Sequence, residues 1–120
     1  MATYGVGMDL VEVQRIERAL SRYPRLAGRI FTESELAEAD GLRRPGRYLA
    51  GRFAVKEAVI KALTLGPGTA LRSIEVIGST PPEVRLHGDV AEAARAVGAT
   101  VKVSITHERQ LAGAVALAEA

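Results

Sequence analysis

Residues 45–64 constrain the fold more than any other segment, because they have the length and composition of a long helix that offers solvent little surface. Pro45 suits the first turn of such a helix, and Gly66-Pro67-Gly68 is expected to stop it. Most residues between Gly51 and Leu63 are apolar or small. We therefore expect a helix that packs against other elements on most of its sides.

Two opposite charges, Glu57 and Lys61, lie inside this apolar helix. Helical periodicity places them on one side, beside Ala50 and Ala54, with Phe53 at their edge. On a solvent-facing helix, an ion pair between residues i and i+4 would be the usual explanation. This helix is not expected to face solvent, and its small neighbouring side chains leave room for a ligand.

The amino-terminal residues 3–13 alternate like a β-strand, with Val6, Met8 and Leu10 on one face and Asp9 on the other. Asp9 therefore points where apolar residues are expected. A buried carboxylate without a partner is costly, so it should face a cation, a hydrogen-bond donor or water. Taken alone, Asp9 is equally well explained by capping a turn or pairing with an arginine.

Asp9 and Glu57 would be two carboxylates on separate rigid elements, with Lys61 nearby. Mg²⁺ prefers one or two carboxylates, some water and the phosphate oxygens of a substrate. Taken together, the three residues favour a site for phosphate-transfer chemistry with a magnesium ion held by Asp9 and Glu57.

The remaining pattern predicts one α+β domain over residues 1–120, with a modest core that would gain from oligomerisation. Strands are expected at residues 3–13, 72–77, 83–87, 99–106 and 111–118. Helices are expected at residues 14–22, after Thr32, at residues 45–64, and from Asp89 as cap to Gly98. Thr32-Glu33-Ser34-Glu35 is a capping box.

Composition excludes several classes of protein. The chain has no cysteine, so disulfides and thiolate metal sites are ruled out. No apolar stretch approaches the length needed to span a membrane, and the chain enters its first strand without a basic and apolar leader. We therefore expect a cytoplasmic protein without a membrane partner.

Five arginines and a single acid, Glu17, lie between residues 14 and 29. Their spacing of three and four places them along one helical face until Pro24 interrupts it: Arg15, Arg18, Arg22, Arg25 and Arg29. Such a face is either simply solvated or binds an acidic partner. Nucleic acid is not expected, because neither stacking aromatic residues nor a known nucleic-acid motif accompanies the arginines.

Three motifs follow one another along nearly the whole chain: residues 7–12 (GMDLVE), 53–62 (FAVKEAVIKA) and 103–108 (VSITHE). Their sequences and order resemble those of the holo-acyl-carrier-protein synthases, the small 4′-phosphopantetheinyl transferases. One motif alone would be weak, but the set is specific. One departure is Val55, which stands where members often have a smaller residue.

The resemblance implies transfer of 4′-phosphopantetheine from coenzyme A to a serine of apo-acyl carrier protein, with release of adenosine 3′,5′-bisphosphate, in support of fatty acid biosynthesis. It implies that Asp9, Glu57 and Lys61 are catalytic. Asp9 and Glu57 would hold Mg²⁺ on the pyrophosphate, and Lys61 would bind the departing phosphate. The base that takes the serine proton is either Glu57 or a metal-bound water.

The resemblance also implies coenzyme contacts outside the carboxylate pair. Arg52 and His107 would contact the nucleotide end, although His107, taken alone, is better explained as a partly buried residue at a strand end. Gly66 and Gly68 would let the backbone approach a phosphate, or simply stop the helix. Lys56 lies on another helical face than Lys61 and is either structural or binds a further phosphate.

Two kinds of protein partner follow from the resemblance. The acidic recognition helix of acyl carrier protein would dock on Arg15, Arg18, Arg22 and Arg25, because arginine forks suit carboxylates. Members of this length form homotrimers with coenzyme A in the cleft between subunits. The alternative is a non-catalytic carrier-protein docking module, or a basic binding module, with the same fold.

The last predicted strand also bears on assembly. Its alternate residues Ala112, Ala114, Ala116 and Ala118 form a face small enough for close packing. The alternation does not distinguish packing within one subunit from packing between subunits.

Overall fold

The computed structural model describes residues 1–120 and contains five strands, five α-helices and one 3₁₀ turn. The strands are β1 (Thr3–Glu12), β2 (Ile74–Ile77), β3 (Glu83–Leu86), β4 (Thr100–Glu108) and β5 (Leu111–Glu119). The helices are α1 (Val13–Arg22), α2 (Leu26–Ile30), α3 (Glu33–Asp40), α4 (Pro45–Ala62) and α5 (Gly88–Ala96). The predicted α+β class, with a long helix packed on a small antiparallel sheet, is confirmed.

The main sheet has the order β1-β5-β4 and is antiparallel throughout, while β2 and β3 form a separate two-stranded sheet. Helix α4 packs across the main sheet and contacts all three of its strands. The alanines of β5 are almost completely buried in the core that α4 shares, at Ala112, Ala114, Ala116 and Ala118. The alanine face of the last strand therefore packs inside the subunit.

Strand β1 approaches α4 closely enough for backbone to meet backbone. A Cβ atom at Gly7 would overlap the carbonyl oxygen of Ala58, and one at Gly5 would overlap that of Ala62. Glycine is required at both positions because any side chain would push the strand away from the helix. Asp9 lies two residues beyond Gly7 on the same face of the strand, so this contact brings its carboxylate next to α4.

The opposite face of β1 is apolar and open to solvent. Val6, Met8 and Leu10 are 63%, 67% and 65% exposed, and Val115 of the neighbouring strand is exposed as well. We call these four residues the open sheet face. A contiguous exposed apolar surface of this kind is typical of a protein interface.

A buried ion pair joins α4 to the rest of the molecule. The Lys56 Nζ atom lies 2.9 Å from Glu35 Oε1 and donates further hydrogen bonds to the carbonyl oxygens of Leu71 and Ile74. Glu35 also accepts the backbone N–H groups of Thr32 and Val76, at 2.8 Å each. Both charges are therefore fully satisfied by hydrogen bonds, as buried charges must be.

The predicted capping box of α3 forms part of this arrangement. Thr32 accepts the backbone N–H of Glu35, and the Glu35 side chain accepts the N–H of Thr32. Burial lowers the pKa of Lys56, and the negative charge of Glu35 opposes this shift. Of the two roles that the sequence left open for Lys56, the structure supports the structural one.

Two predicted helix boundaries are wrong. Helix α4 ends at Ala62, and the left-handed residue that terminates it is Thr64, with φ 54°, instead of the later glycines. The N–H groups of Thr64 and Leu65 bond the carbonyls of Lys61 and Ile60, which satisfies the helix end before Gly66 is reached. Helix α5 is capped at His87, so Asp89 lies in its first turn and makes no capping bond.

Two more elements differ from their prediction. The segment before β2 is a 3₁₀ turn, Leu71–Ser73, so the strand begins only at Ile74. Pro24 interrupts the α1 face as expected, and the chain then forms a short helix, α2, that the sequence did not predict, so Arg25 and Arg29 lie on a different element from Arg15, Arg18 and Arg22. No helix combines the length and the hydrophobicity needed to cross a membrane.

We expect Lys56→Met to lower the free energy of unfolding by about 3–5 kcal/mol, because it leaves the Glu35 carboxylate buried without its cation. Denaturant unfolding followed by circular dichroism measures this loss. The double variant Glu35→Gln/Lys56→Met removes both charges, keeps an acceptor for the N–H groups of Thr32 and Val76, and should recover part of it. A single variant as stable as the native protein would contradict the assigned structural role.

Candidate functional site

Asp9, Glu57 and Lys61 come together where β1 crosses α4. The Lys61 Nζ atom donates a 2.9 Å hydrogen bond to the carbonyl oxygen of Met8 and lies 3.6 Å from Asp9 Oδ1. Lys61 therefore pairs with Asp9 on the strand, and no ion pair forms between Glu57 and Lys61. The explanation of Glu57 and Lys61 as a simple i, i+4 pair is wrong.

The two carboxylates influence each other. Burial raises the pKa of Asp9, and the charge of Lys61 opposes this. Burial also raises the pKa of Glu57, and the nearby negative charge of Asp9 raises it further. Because the two carboxylates repel each other and are partly buried, a cation bound between them would stabilise their charged forms.

The donor set fits a magnesium ion. Asp9 and Glu57 supply two carboxylates from different elements, and no third acidic or histidine side chain joins them. Mg²⁺ is commonly bound by one or two carboxylates, with substrate phosphates and water completing its coordination. Lys61 is 53% exposed and uses one of its three donors on Met8, so donors remain for an anion.

A second group of charged and aromatic side chains surrounds a cleft at the amino end of α4. The cleft has a volume of about 480 Å³, and its lining includes no acidic residue. Four arginines, a tyrosine and a histidine dominate it: Arg43, Arg44, Arg47, Arg52, Tyr48 and His107. None of these arginines forms a salt bridge in the protein. We call this the arginine cleft, and its chemistry suits an anion.

Within the arginine cleft, His107 is held against α4. Its Nε2 atom lies 3.1 Å from the carbonyl oxygen of Arg47, so Nε2 carries the proton and donates. Burial lowers the pKa of His107, and the charges of Arg47, Arg52 and Arg44 lower it further. A Cβ atom at Gly51 would come within 3.0 Å of the imidazole, which explains glycine at that position.

Arg52 belongs to the same cleft but is almost completely buried, with 4% of its surface exposed. Its guanidinium donates a 2.5 Å hydrogen bond to the carbonyl oxygen of Gly78 and stacks on the Tyr48 ring, 4.1 Å from the centroid. The sequence analysis grouped Arg52 with His107, and the structure brings both to one cleft.

Gly66 and Gly68 join neither group. They line a separate hollow of about 380 Å³ with Thr69, Ser73 and Asp89. Their assignment as a coenzyme contact stays a prediction.

The arginines of the predicted docking surface divide between two helices. Arg15, Arg18 and Arg22 lie on the exposed side of α1, opposite its buried Val13 and Ile16. Arg25 lies at the start of α2. The exposed cationic side chains of α1 therefore form a surface that is separate from the arginine cleft.

Sequence reasoning missed four residues of the arginine cleft: Arg43, Arg44, Arg47 and Tyr48. A signal was present, because the segment RRPGRY places three arginines around the first turn of the predicted long helix. The positive end of a helix is an unfavourable place for cations unless an anion is bound there.

Comparison with known proteins identifies the family and supports the fold. The family model of the 4′-phosphopantetheinyl transferase superfamily matches residues 5–115. The holo-[acyl-carrier-protein] synthase of Moorella thermoacetica is 43% identical over 117 residues, which cover 94% of this chain and 91% of that protein.

Solved structures extend the comparison. The holo-[acyl-carrier-protein] synthase of Neisseria meningitidis superposes with a TM-score of 0.89 at 32% identity, covering 98% of this chain and 99% of that one. The corresponding protein from Bacillus anthracis was solved in complex with coenzyme A (3′,5′-ADP). It has a TM-score of 0.81 at 32% identity, covering 100% of this chain and 99% of that one.

Proposed function

The chain belongs to the 4′-phosphopantetheinyl transferase superfamily and is an enzyme, and we propose that it transfers 4′-phosphopantetheine from coenzyme A to a serine of apo-acyl carrier protein. The observation that carries the proposal is the convergence of Asp9, Glu57 and Lys61 from two elements on one side of α4. A role in fatty acid biosynthesis and a cytoplasmic location belong to the same proposal.

In this reaction the serine oxygen forms a bond to the phosphorus that carries pantetheine. The bond from that phosphorus to the bridging oxygen breaks, and adenosine 3′,5′-bisphosphate leaves. Asp9 and Glu57 would hold Mg²⁺, which supplies positive charge to the pyrophosphate when bound. Lys61 would bind the leaving phosphate through its remaining donors and stabilise its developing charge.

The serine proton needs an acceptor near the phosphorus. Glu57 is the candidate within this chain, because it lies beside Asp9 and Lys61 at the proposed phosphate site. A water bound to the metal is the alternative acceptor.

The arginine cleft would bind the nucleotide end of coenzyme A. Arg52 and His107 line it, and the unpaired arginines around them offer donors to phosphate oxygens. The arginine charges lower the pKa of His107. A bound anion would raise this pKa again, so His107 would be protonated more readily in the complex.

The test of the proposal is mass spectrometry of apo-acyl carrier protein incubated with this enzyme, coenzyme A and Mg²⁺. We expect the carrier to gain the mass of one 4′-phosphopantetheine group, and chelation of the divalent ion to stop the reaction. A non-catalytic docking module would bind the carrier without changing its mass. The intact Asp9, Glu57 and Lys61 argue against such a module.

In the same assay, Asp9→Ala, Glu57→Ala and Lys61→Ala should each lower the rate by about two to three orders of magnitude while the protein stays folded. Asp40→Ala is the matched control, since it removes an exposed carboxylate that forms no ion pair. Near-native rates for the two carboxylate variants in Mg²⁺ would show that the metal assignment is wrong.

The exposed arginines of α1 would bind the carrier protein. Arg15, Arg18 and Arg22 face solvent and form no salt bridge, and Arg25 extends the positive surface onto α2. Exposed charges of this kind act mainly on association rate and on salt dependence.

We expect Arg18→Glu and Arg22→Glu to raise the Michaelis constant for the carrier at least tenfold, and to leave that for coenzyme A within about twofold. Arg15 is kept unchanged in this test because its charge acts on Asp9. Arg95→Glu, an equal charge change at the end of α5, is the control. Steady-state kinetics at several ionic strengths provide the measurement. Equal losses for both substrates would refute separate surfaces for the two.

We further propose that the enzyme is a homotrimer whose subunits meet through the open sheet face. Val6, Met8 and Leu10 expose apolar side chains that a second copy would cover. A hollow of about 220 Å³ beside Met8, Leu10 and Val115 lies on this face and offers room for an apolar side chain of the second copy.

Sedimentation equilibrium should give about three times the chain mass of 12.7 kDa, and Leu10→Glu should dissociate the assembly by placing a charge in its interface. His107→Ala should also lose activity if His107 contacts coenzyme A, and mixing it with Glu57→Ala should restore part of the activity if the two groups of one site come from different chains. A fully active native monomer would contradict the proposal.

A further inference from the structure

Arg109 forms the tip of the hairpin between β4 and β5 in a backbone conformation that arginine seldom adopts. Its φ angle is 54°, in the left-handed region that favours glycine. The turn contains only Arg109 and Gln110, since Glu108 pairs with Leu111. Glycine and asparagine are the usual residues where a two-residue turn needs a positive φ. An arginine held there against this preference suggests that its side chain has a function.

The hairpin tip is attached to the beginning of α1. Val13, the first residue of that helix, donates its N–H to the carbonyl oxygen of Gln110 at 2.8 Å. Leu111 pairs with Glu12 of β1 on one side and with Glu108 of β4 on the other. Arg109 therefore lies at the end of the sheet where α1 begins.

This end of the sheet lies between the proposed catalytic carboxylates and the arginines of α1. Asp9 is three residues before Glu12, which corresponds to roughly 10 Å along β1. Burial raises the pKa of Asp9, and the charge of Arg15 is among those that oppose this shift, so the first turn of α1 is within electrostatic reach of the site. A carrier whose serine enters the site and whose acidic helix lies on α1 passes beside the hairpin tip.

The side chain of Arg109 is available to an acidic partner. It is 89% exposed, and its one salt-bridge partner is Glu108, which is 80% exposed, with 3.7 Å between Arg109 Nε and Glu108 Oε1. An exposed pair of this kind contributes little to stability. The guanidinium therefore keeps most of its donors for the carboxylates of a partner.

Resting on the proposed function, we propose that Arg109 is a further carrier-protein contact, which binds an acidic side chain of acyl carrier protein close to the serine that is modified. The hairpin tip and α1 then form one continuous docking surface. The strained turn is tolerated because it places a positive charge where a glycine would be more stable.

The first test is Arg109→Gln, which removes the charge and keeps a long side chain. We expect it to raise the Michaelis constant for the carrier about fivefold at low salt, and to leave that for coenzyme A within about twofold. The effect on the carrier should largely disappear at about 0.5 M salt. Arg95→Gln is the matched control, because Arg95 is also exposed and paired with a nearby glutamate, Glu92, but lies at the end of α5.

The neighbouring acid gives a prediction of opposite sign. Glu108→Gln removes a negative charge beside Arg109 and should lower the Michaelis constant for the carrier about twofold.

Arg109→Gly separates a role in binding from a role in the fold. Because glycine adopts the left-handed conformation without strain, we expect the melting temperature to rise by one to a few degrees. The Michaelis constant for the carrier should still rise about fivefold. Arg109→Lys keeps both the charge and the strain, so both values should stay close to those of the native enzyme.

Fluorescence anisotropy of labelled apo-acyl carrier protein gives an affinity that does not depend on transfer. Arg109→Gln should weaken this binding about fivefold. A native enzyme that binds the carrier but does not modify it would contradict the proposed function, and the affinities of the variants would still decide the role of Arg109.

Three results would overturn the role of Arg109. Native affinity in Arg109→Gln would mean that the side chain does not contact the carrier. An equal loss in Arg95→Gln would mean that only the net charge of the enzyme matters. A lowered melting temperature or a dissociated assembly in Arg109→Gly would mean that Arg109 serves the fold or a subunit contact.

Discussion

The close contact of β1 with α4 is the constraint on which the arrangement of the site depends. Because Gly5 and Gly7 have no side chain, the strand backbone lies directly on the helix carbonyls of Ala62 and Ala58. Lys61 spans the short remaining gap and bonds the Met8 carbonyl. A wider separation would break this bond and move Asp9 away from Glu57. The two carboxylates are therefore close together because the backbone of β1 packs directly on that of α4.

Each side of α4 contacts a different part of the molecule, and this explains why a largely buried helix carries several charges. One side meets the alanines of β5 with its own alanines. Another reaches the β2 segment, where Lys56 bonds the carbonyl of Ile74 at the start of the strand and Arg52 bonds that of Gly78 just beyond its end. These two cations attach the small β2-β3 sheet to the helix, and Ser79 of its connecting loop thereby lines the arginine cleft.

The sequence predicted most of the fold because period-2 and helical patterns are local properties. It predicted Asp9, Glu57 and Lys61 as one site because two of them share a helix face, and a family resemblance linked the third. It left the role of Lys56 open between a structural one and a phosphate contact, since the partner of Lys56 is Glu35, which is 21 positions away along the chain. The end of α4 was misplaced because Thr64, which is no usual residue for a positive φ, takes the terminating position before the glycines.

Although the net charge is only +2, positive charge is concentrated on two surfaces, the exposed side of α1 and the arginine cleft. Each of these surfaces suits one of the two proposed anionic substrates. Glu17, the one acid among the α1 arginines, packs against Gly46 in the first turn of α4, where the missing Cβ atom leaves room for its carboxylate. A negative charge near a helix amino end is favourable, so this contact fixes α1 beside the end of α4 that carries the arginine cleft. The contact between Glu17 and Gly46 thus holds α1, the proposed carrier-binding helix, next to the proposed nucleotide site. The positions of the two surfaces are therefore coupled through one helix end, although their exposed side chains are separate.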